Sequence, residues 1–270
     1  TTALSSARVI NVLASSTINN ANSGGLTLTG NVTGPTAASA ATLTITGANA
    51  TNFTTGVIAD GSGAVLGFTQ NTTGTTTLSG TNTYTGSTTI SAGTLSIGAD
   101  ANLGTAPSTT TPGSLVLNGG ALLITANITL NSNRGVSLSA ASTINVETGD
   151  TLTYGGILTD GASSFALTKS GAGTLVLSGA NTYDGGTTVS GGLLKASIAS
   201  TGSVTNGAFG TGTVTVNSGY TVDLNGYSVA NALNLSGAGL SSNGALINSS
   251  ATAATASGAV TIAANTSIGG

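Results

Sequence analysis

Short runs in which every second residue is aliphatic recur along the whole chain. Leu26-Thr27-Leu28-Thr29, Leu43-Thr44-Ile45-Thr46, Leu115-Val116-Leu117, Leu175-Val176-Leu177 and Val214-Thr215-Val216 are examples. In an extended strand, residues two apart share a face, so each run buries its aliphatics and shows Thr, Ser or Val outward. Asp60-Gly61, Asn118-Gly119, Asp160-Gly161, Asp184-Gly185, Asn225-Gly226 and Asn243-Gly244 lie between the runs and read as turns. Helix signals are poor throughout, because Gly and β-branched residues dominate.

The pattern predicts an all-β chain of short strands, and a repeat says how they are arranged. GTTTLSGTNTYTGSTTISAGTL from Gly74 returns as GTLVLSGANTYDGGTTVSGGLL from Gly173, with fourteen of twenty-two positions identical. Such recurrence marks stacked coils. The expected fold is a right-handed parallel β-helix, a β-solenoid, formed by residues 1–270 as one continuous unit. Tandem β-sandwich modules are the alternative, since the same turns could join antiparallel hairpins. Aromatics at 3% favour the narrow solenoid core. Coils of ~20–25 residues would give about eleven to thirteen turns and a rod on the order of 55–60 Å.

A longer period is also present. RVINVLASSTI from Arg8 parallels RGVSLSAASTI from Arg134, and VTIAANTSI from Val260 parallels VSLSAASTI from Val136. This makes Ile18, Ile144 and Ile268 equivalent and sets modules of about 125 residues. The modules are unequal inside, which places an insertion within 35–70. The chain is expected to be a fragment of a longer repeat protein, because Ser267-Ile268-Gly269-Gly270 is not a capping sequence.

Composition narrows the function. Charged residues are 4% of the chain, against roughly 25% in ordinary domains. With positive mean hydropathy this is not the signature of disorder. Arg8, Arg134, Lys169 and Lys195 cannot form the basic stripe that nucleic acid requires. No apolar run reaches the length of a spanning helix. His and Cys are absent, which removes Ser-His-Asp and Cys-His catalysis and the usual zinc sites. Catalytic, cofactor-binding and metal-binding residues are therefore expected to be none, and cofactors none.

The remaining candidates read as structural. Glu147 and Asp150, flanking Thr148-Gly149, are read as a solvated turn rather than a carboxylate pair. With Asp160 they are the residues a polysaccharide-cleaving reading would need. Tyr84 and Tyr183 are equivalent by repeat. Their rings are expected to cover a turn or coil edge with the hydroxyl in water, in preference to stacking on a sugar. Asn82 and Asn181 are read as ladder or turn asparagines, and Asp184-Gly185 as a turn that tolerates the Thr85-Gly86 of the other copy. Thr27/Thr29, Thr42/Thr44/Thr46 and Thr213/Thr215 are read as outward strand threonines. Their spacing along the chain is too irregular for an ice-binding array.

LSGTNTYTGSTTISAGTL from Leu78 and LSGANTYDGGTTVSGGLL from Leu177 resemble the autotransporter-associated β-strand repeat of large bacterial surface proteins. GTGTVTVNSGYTVDLNGYSVANAL from Gly210 and GALINSS from Gly244 resemble passenger sequence of the same kind. The resemblance implies an extracellular, cell-surface location and a non-catalytic structural or adhesive role, as a stalk or a self-associating filament or matrix. Carbohydrate binding or cleavage is the alternative. Expected partners are further copies of the chain, surface glycans or other cells.

Overall fold

The computed structural model describes residues 4–202, 204–263 and 265–269. Every pairing between named strands is parallel, so the turns are corners of a coil and the β-sandwich alternative falls. The chain is a β-solenoid of about 11 turns. Among the described residues, helical structure is confined to two single 3-10 turns, Asp100–Leu103 and Leu240–Ser242.

Three ladders run along the solenoid. The first links Ser16–Asn20, Ala41–Gly47, the leading half of Leu66–Leu78 and the leading half of Thr88–Ile97. It continues through Thr111–Asn118, Arg134–Ala140 and Leu158–Thr159. The second begins at Leu4–Ser6 and ends at Val260–Ile262. It holds twelve strands, counting the trailing halves of Leu66–Leu78 and Thr88–Ile97, a length of about 50–55 Å at the strand spacing of ~4.8 Å. The third contains Ile10–Asn11, Val32–Thr33 and Ile58–Ala59. After a break it resumes as a separate sheet of Ile128–Leu130, Thr151–Tyr154, Thr174–Leu177, Leu193–Ala196, Thr221–Asp223 and Leu246–Ile247.

The alternation seen in the sequence is the burial pattern. Ala41–Gly47 alternates buried and half-buried positions, and so do Ser142–Val146 and Thr174–Leu177. Inward residues stack into columns such as Leu95, Leu122 and Ile144. Aromatics from different faces meet in the core: Phe53 meets Phe68 edge-on at 6.0 Å, and Phe68 lies 6.5 Å from Tyr84.

Register makes regular in space what is irregular in sequence. Thr75, Thr94, Ala121, Thr143, Thr168, Thr188, Thr215, Asn234 and Thr261 are successive partners on the second ladder. Thr17, Thr44, Thr69 and Thr89 do the same on the first. Apart from Ala121 and Asn234 these are outward strand threonines, and they include Thr44 and Thr215. Coils of unequal length stack with one strand per rung, so these two fall into columns despite their irregular chain spacing, whereas Thr27 pairs with Ser5 and Asn52 and Thr42 with Gly67.

The two copies of the repeat lie on different faces. Phe68 pairs with Leu43 and Thr88 on the first ladder. Its equivalent Leu167 pairs with Ser142 and Thr187 on the second. Ile18, Ile144 and Ile268 likewise fall on the first, second and third ladders. Residues 35–70 contain Ala41–Gly47, Thr51–Phe53 and Ile58–Ala59, which are paired strands. Extra length there forms a coil and does not loop out. Gly270 of the uncapped stretch and Ala264 of the third module segment lie outside the described residues.

Candidate functional site

The repeated Asn-Thr-Tyr motif is an internal staple. Ile58 donates its N–H to Asn82 Oδ1 at 2.8 Å, and Asn82 Nδ2 donates to the Asn102 carbonyl at 2.6 Å. In the second copy Leu158 N–H donates to Asn181 Oδ1 at 2.8 Å, and Asn181 Nδ2 donates to the Ala208 carbonyl at 2.7 Å. Each Asn thus ties the coil before it to the coil after it, satisfying backbone groups at a corner where the ladder pauses.

The tyrosines depart from expectation. Tyr84 and Tyr183 are fully buried. Their hydroxyls do not meet water, and neither ring is free to stack on a sugar. Tyr84 Oη lies 2.7 Å from Thr88 Oγ1, and Tyr183 Oη lies 2.6 Å from Thr187 Oγ1. Burial pushes both phenols well above their ordinary range. The physical reason is the chain that returns over each ring. A Cβ on Gly104 would come within 3.0 Å of the Tyr84 ring, and one on Gly210 within 2.9 Å of Tyr183. The absent side chain lets backbone close the coil on the aromatic face.

The carboxylates are spread over corners. Glu147 and Asp150 share a turn, with Asp150 N–H donating to the Glu147 carbonyl at 3.1 Å. Asp160 sits at another corner, where its Oδ2 accepts from Phe165 N–H at 3.0 Å and Asp184 N–H at 3.1 Å. Asp60 does the same work in the first copy, accepting from Leu66 N–H at 2.7 Å and from the Thr85 hydroxyl at 2.6 Å. No group of three or more His, Cys, Asp or Glu side chains able to hold a metal occurs among the described residues. No helix there is long and apolar enough to cross a membrane.

Three polar arrangements went unread in the sequence. Lys169 is wholly buried, and its ammonium donates to the carbonyls of Ser170, Gly171 and Gly191 at 2.7, 2.9 and 3.0 Å. Burial lowers its pKa from 10.5 to about 8. Its place two residues after Leu167 in an alternating run marks it as inward, so the signal was available. Buried Arg134 grips the 3-10 turn, reaching Asp100 Oδ1 at 2.8 Å, the Leu103 carbonyl at 3.0 Å and the Gly104 carbonyl at 2.6 Å.

The third arrangement brings Lys195, Asp223 and Ser249 together. Lys195 Nζ lies 3.3 Å from Asp223 Oδ2 and donates to Ser249 Oγ at 3.2 Å, while Ser249 Oγ donates to Asp223 Oδ2 at 2.6 Å. Burial opposes ionisation of Asp223. The bonds from Ser249 and Asn225, with the Lys195 charge, outweigh it and hold the carboxyl below its usual range. A carboxylate so stabilised is a weak base for activating Ser249, and the trio acts as a turn staple.

This geometry of short parallel strands, stapled corners and a double motif has counterparts among known proteins. Residues 68–97 and 167–196 each match the passenger-associated-transport-repeat family. The chain carries passenger-associated transport repeats. Over 148 residues, 53% of this chain, it is 36% identical to Adhesin BmaC autotransporter of Brucella suis biovar 1 (strain 1330). The aligned part is 4% of that protein's length. No solved structure matches the chain. In both matched stretches the Asn and Tyr of the motif and the Thr four residues after the Tyr are buried, at Asn82, Tyr84 and Thr88 and at Asn181, Tyr183 and Thr187.

Proposed function

We propose that the chain is a stretch of a bacterial autotransporter passenger, exposed at the cell surface, where it serves as a non-catalytic structural and adhesive rod. The observation that carries this reading is the second ladder. It continues unbroken through twelve strands, and its outward column of nine rungs from Thr75 to Thr261 contains no charged residue. What such a chain offers is length and repeated neutral surface, on which weak contacts multiply by avidity. Similarity to an autotransporter adhesin over half of the chain supports it.

Beads coated with the chain should hold cells better than beads coated with an unrelated protein, and electron microscopy should show short rods. Rods without adhesion would leave the stalk and remove the adhesive role. The neutral Thr column also favours self-association by lateral contact between faces, giving filaments or a matrix. A single monomeric species in sedimentation at high concentration would end that part of the reading.

The placement of Ile18, Ile144 and Ile268 on successive ladders supports one further element of the proposal. Modules of about 125 residues each advance the pattern by one face, so a long passenger would present every motif around its axis.

A further inference from the structure

The coils that follow the two matched repeats divide their length differently about one glycine, and the difference builds a pocket. In both copies a Gly with positive φ turns the chain beside the buried tyrosine: Gly104 at 78° and Gly210 at 70°. Thr105 N–H then donates to the Tyr84 carbonyl at 3.0 Å, and Thr211 N–H to the Tyr183 carbonyl at 2.9 Å. From there the second copy reaches its next inward strand residue, Val214, in three residues. The first copy takes ten, through Ala106-Pro107-Ser108-Thr109-Thr110-Thr111-Pro112-Gly113-Ser114, to reach Leu115. Leu115 and Val214 pair with the equivalent residues Thr88 and Thr187. The two coils are of equal length, and the residues that run from Tyr183 to Gly210 in the second are in the first shifted past the Gly, into a longer corner.

The long corner borders a half-open cleft of about 500 Å³, within the usual range for a small-molecule site. Thr85 and Ser87 line it together with Thr105, Pro107, Pro112 and Ser114. Thr111 and Leu115 oppose Arg134 and Val136, so the strand bulges between them, a device that re-aims side chains. At this bulge Ser114 lines the pocket, but its Oγ is turned away from solvent and has no hydrogen-bond partner. A buried hydroxyl left unpaired is unfavourable, so a χ1 rotation that brings it into the pocket to meet a ligand gains a bond without breaking one. The hydroxyls of Thr85 and Thr105 are already donating, to Asp60 at 2.6 Å and to the Thr83 carbonyl at 3.2 Å. They retain lone pairs to accept from a ligand.

We propose that this pocket binds one neutral sugar residue, as at the end of a glycan. No lining residue is charged, which disfavours an acidic or basic ligand. The proline rings offer an apolar wall for the C–H face of a pyranose, and the hydroxyl groups meet its own hydroxyls. The long corner follows the first repeat alone, so the coil after the second is a built-in control. The biological use of the site rests on the adhesive reading above, while its occupancy does not.

The test is a titration of the ¹⁵N-labelled chain with methyl glycosides of glucose, galactose, mannose and N-acetylglucosamine, followed by NMR. Saturable shifts confined to 85–87 and 105–114 are expected for at least one sugar. Replacing residues 106–113 by the single Gly212 of the second copy should abolish them. Ser114→Val, a milder change, should weaken binding about tenfold while leaving the amide spectrum elsewhere unchanged. No saturable shift with any of the four, shifts elsewhere only, or shifts that survive both variants would overturn the proposal. Loss of bead adhesion with sugar binding intact would instead count against the adhesive reading.

Discussion

Lys169 occupies in the second repeat the inward place that Gln70 occupies in the first. Gln70 stands between Ile45 and Ile90 on its ladder, and Lys169 between Ile144 and Val189 on the next. Both are wholly buried. Gln70 Nε2 donates to Thr72 Oγ1 at 3.0 Å and the Gly74 carbonyl at 3.3 Å. A neutral amide therefore serves where Lys169 places a charge with three carbonyls around it.

Replacement of Lys169 by Gln should stabilise the chain near neutral pH and remove a pH dependence. Below about pH 8 the lysine is charged in both the folded and unfolded chain, and the cost of burying it is constant. Between about 8 and 10.5 the unfolded chain binds the proton and the folded chain does not, so stability rises with pH. The shift corresponds to about 1–3 kcal/mol. Urea denaturation from pH 7 to 10 should show this rise in the native sequence and its absence in Lys169→Gln. An equal slope in both would refute the account.

The tyrosines act in the opposite direction at higher pH. Burial raises the Tyr84, Tyr154 and Tyr183 phenols, so above pH ~10 the unfolded chain loses protons that the folded chain keeps. Stability should then fall as pH rises, with tyrosinate absorbance appearing together with unfolding. Thr187→Val should cost about 2–3 kcal/mol, because it strands both the Tyr183 hydroxyl and the Phe209 carbonyl, which accepts from Thr187 at 3.2 Å. Tyr183→Phe should cost about 1 kcal/mol, since Thr187 keeps its bond to Phe209. Equal losses in the two variants would contradict this order.

The coil was legible because its signal is local. Leu43-Thr44-Ile45 shows inward and outward positions within three residues, and Asp60-Gly61 marks a corner without reference to anything distant. The roles of Tyr84 and Asn82 were not legible, because their partners are remote or arrive by folding. Asn82 bonds to Ile58 and Asn102, on neighbouring coils, and Gly104 covers the Tyr84 ring from the next turn. The Thr column was missed for a related reason. Chain spacing between Thr94 and Thr143 says nothing about rungs until the register through Ala121 is known. Nor could the sequence alone tell how a coil divides its length, with Pro107 and Pro112 in a long corner after Gly104 but only Gly212 and Thr213 between Thr211 and Val214.

The Arg134 clamp should prove expensive to break from one side. Asp100→Ala leaves the guanidinium buried without its carboxylate, and a loss of about 3 kcal/mol is expected. Arg134→Lys keeps the charge but not the fork that reaches Asp100, Leu103 and Gly104 together, and should cost about 2 kcal/mol. Hydrogen exchange should localise the damage, with amides of 98–105 losing protection before those of Thr174–Leu177. Uniform loss along the rod would mean that the coils unfold as one unit and not by neighbour coupling.

Thr76 should be improvable. It is wholly buried in the column between Thr51 and Leu95, and its Oγ1 has no hydrogen-bond partner. Thr51, one rung away, differs in that its hydroxyl accepts from Asn20 Nδ2 at 3.2 Å. Exchange of the Thr76 hydroxyl for a methyl group changes shape little and removes an unpaired buried polar atom. Thr76→Val is therefore expected to raise stability by about 1 kcal/mol, whereas Thr51→Val should lower it by about the same amount by stripping Asn20 of an acceptor. Chemical denaturation of both variants decides the matter. Destabilisation by Thr76→Val would mean that the hydroxyl has a partner, such as an enclosed water, bridging it to the coil beside it.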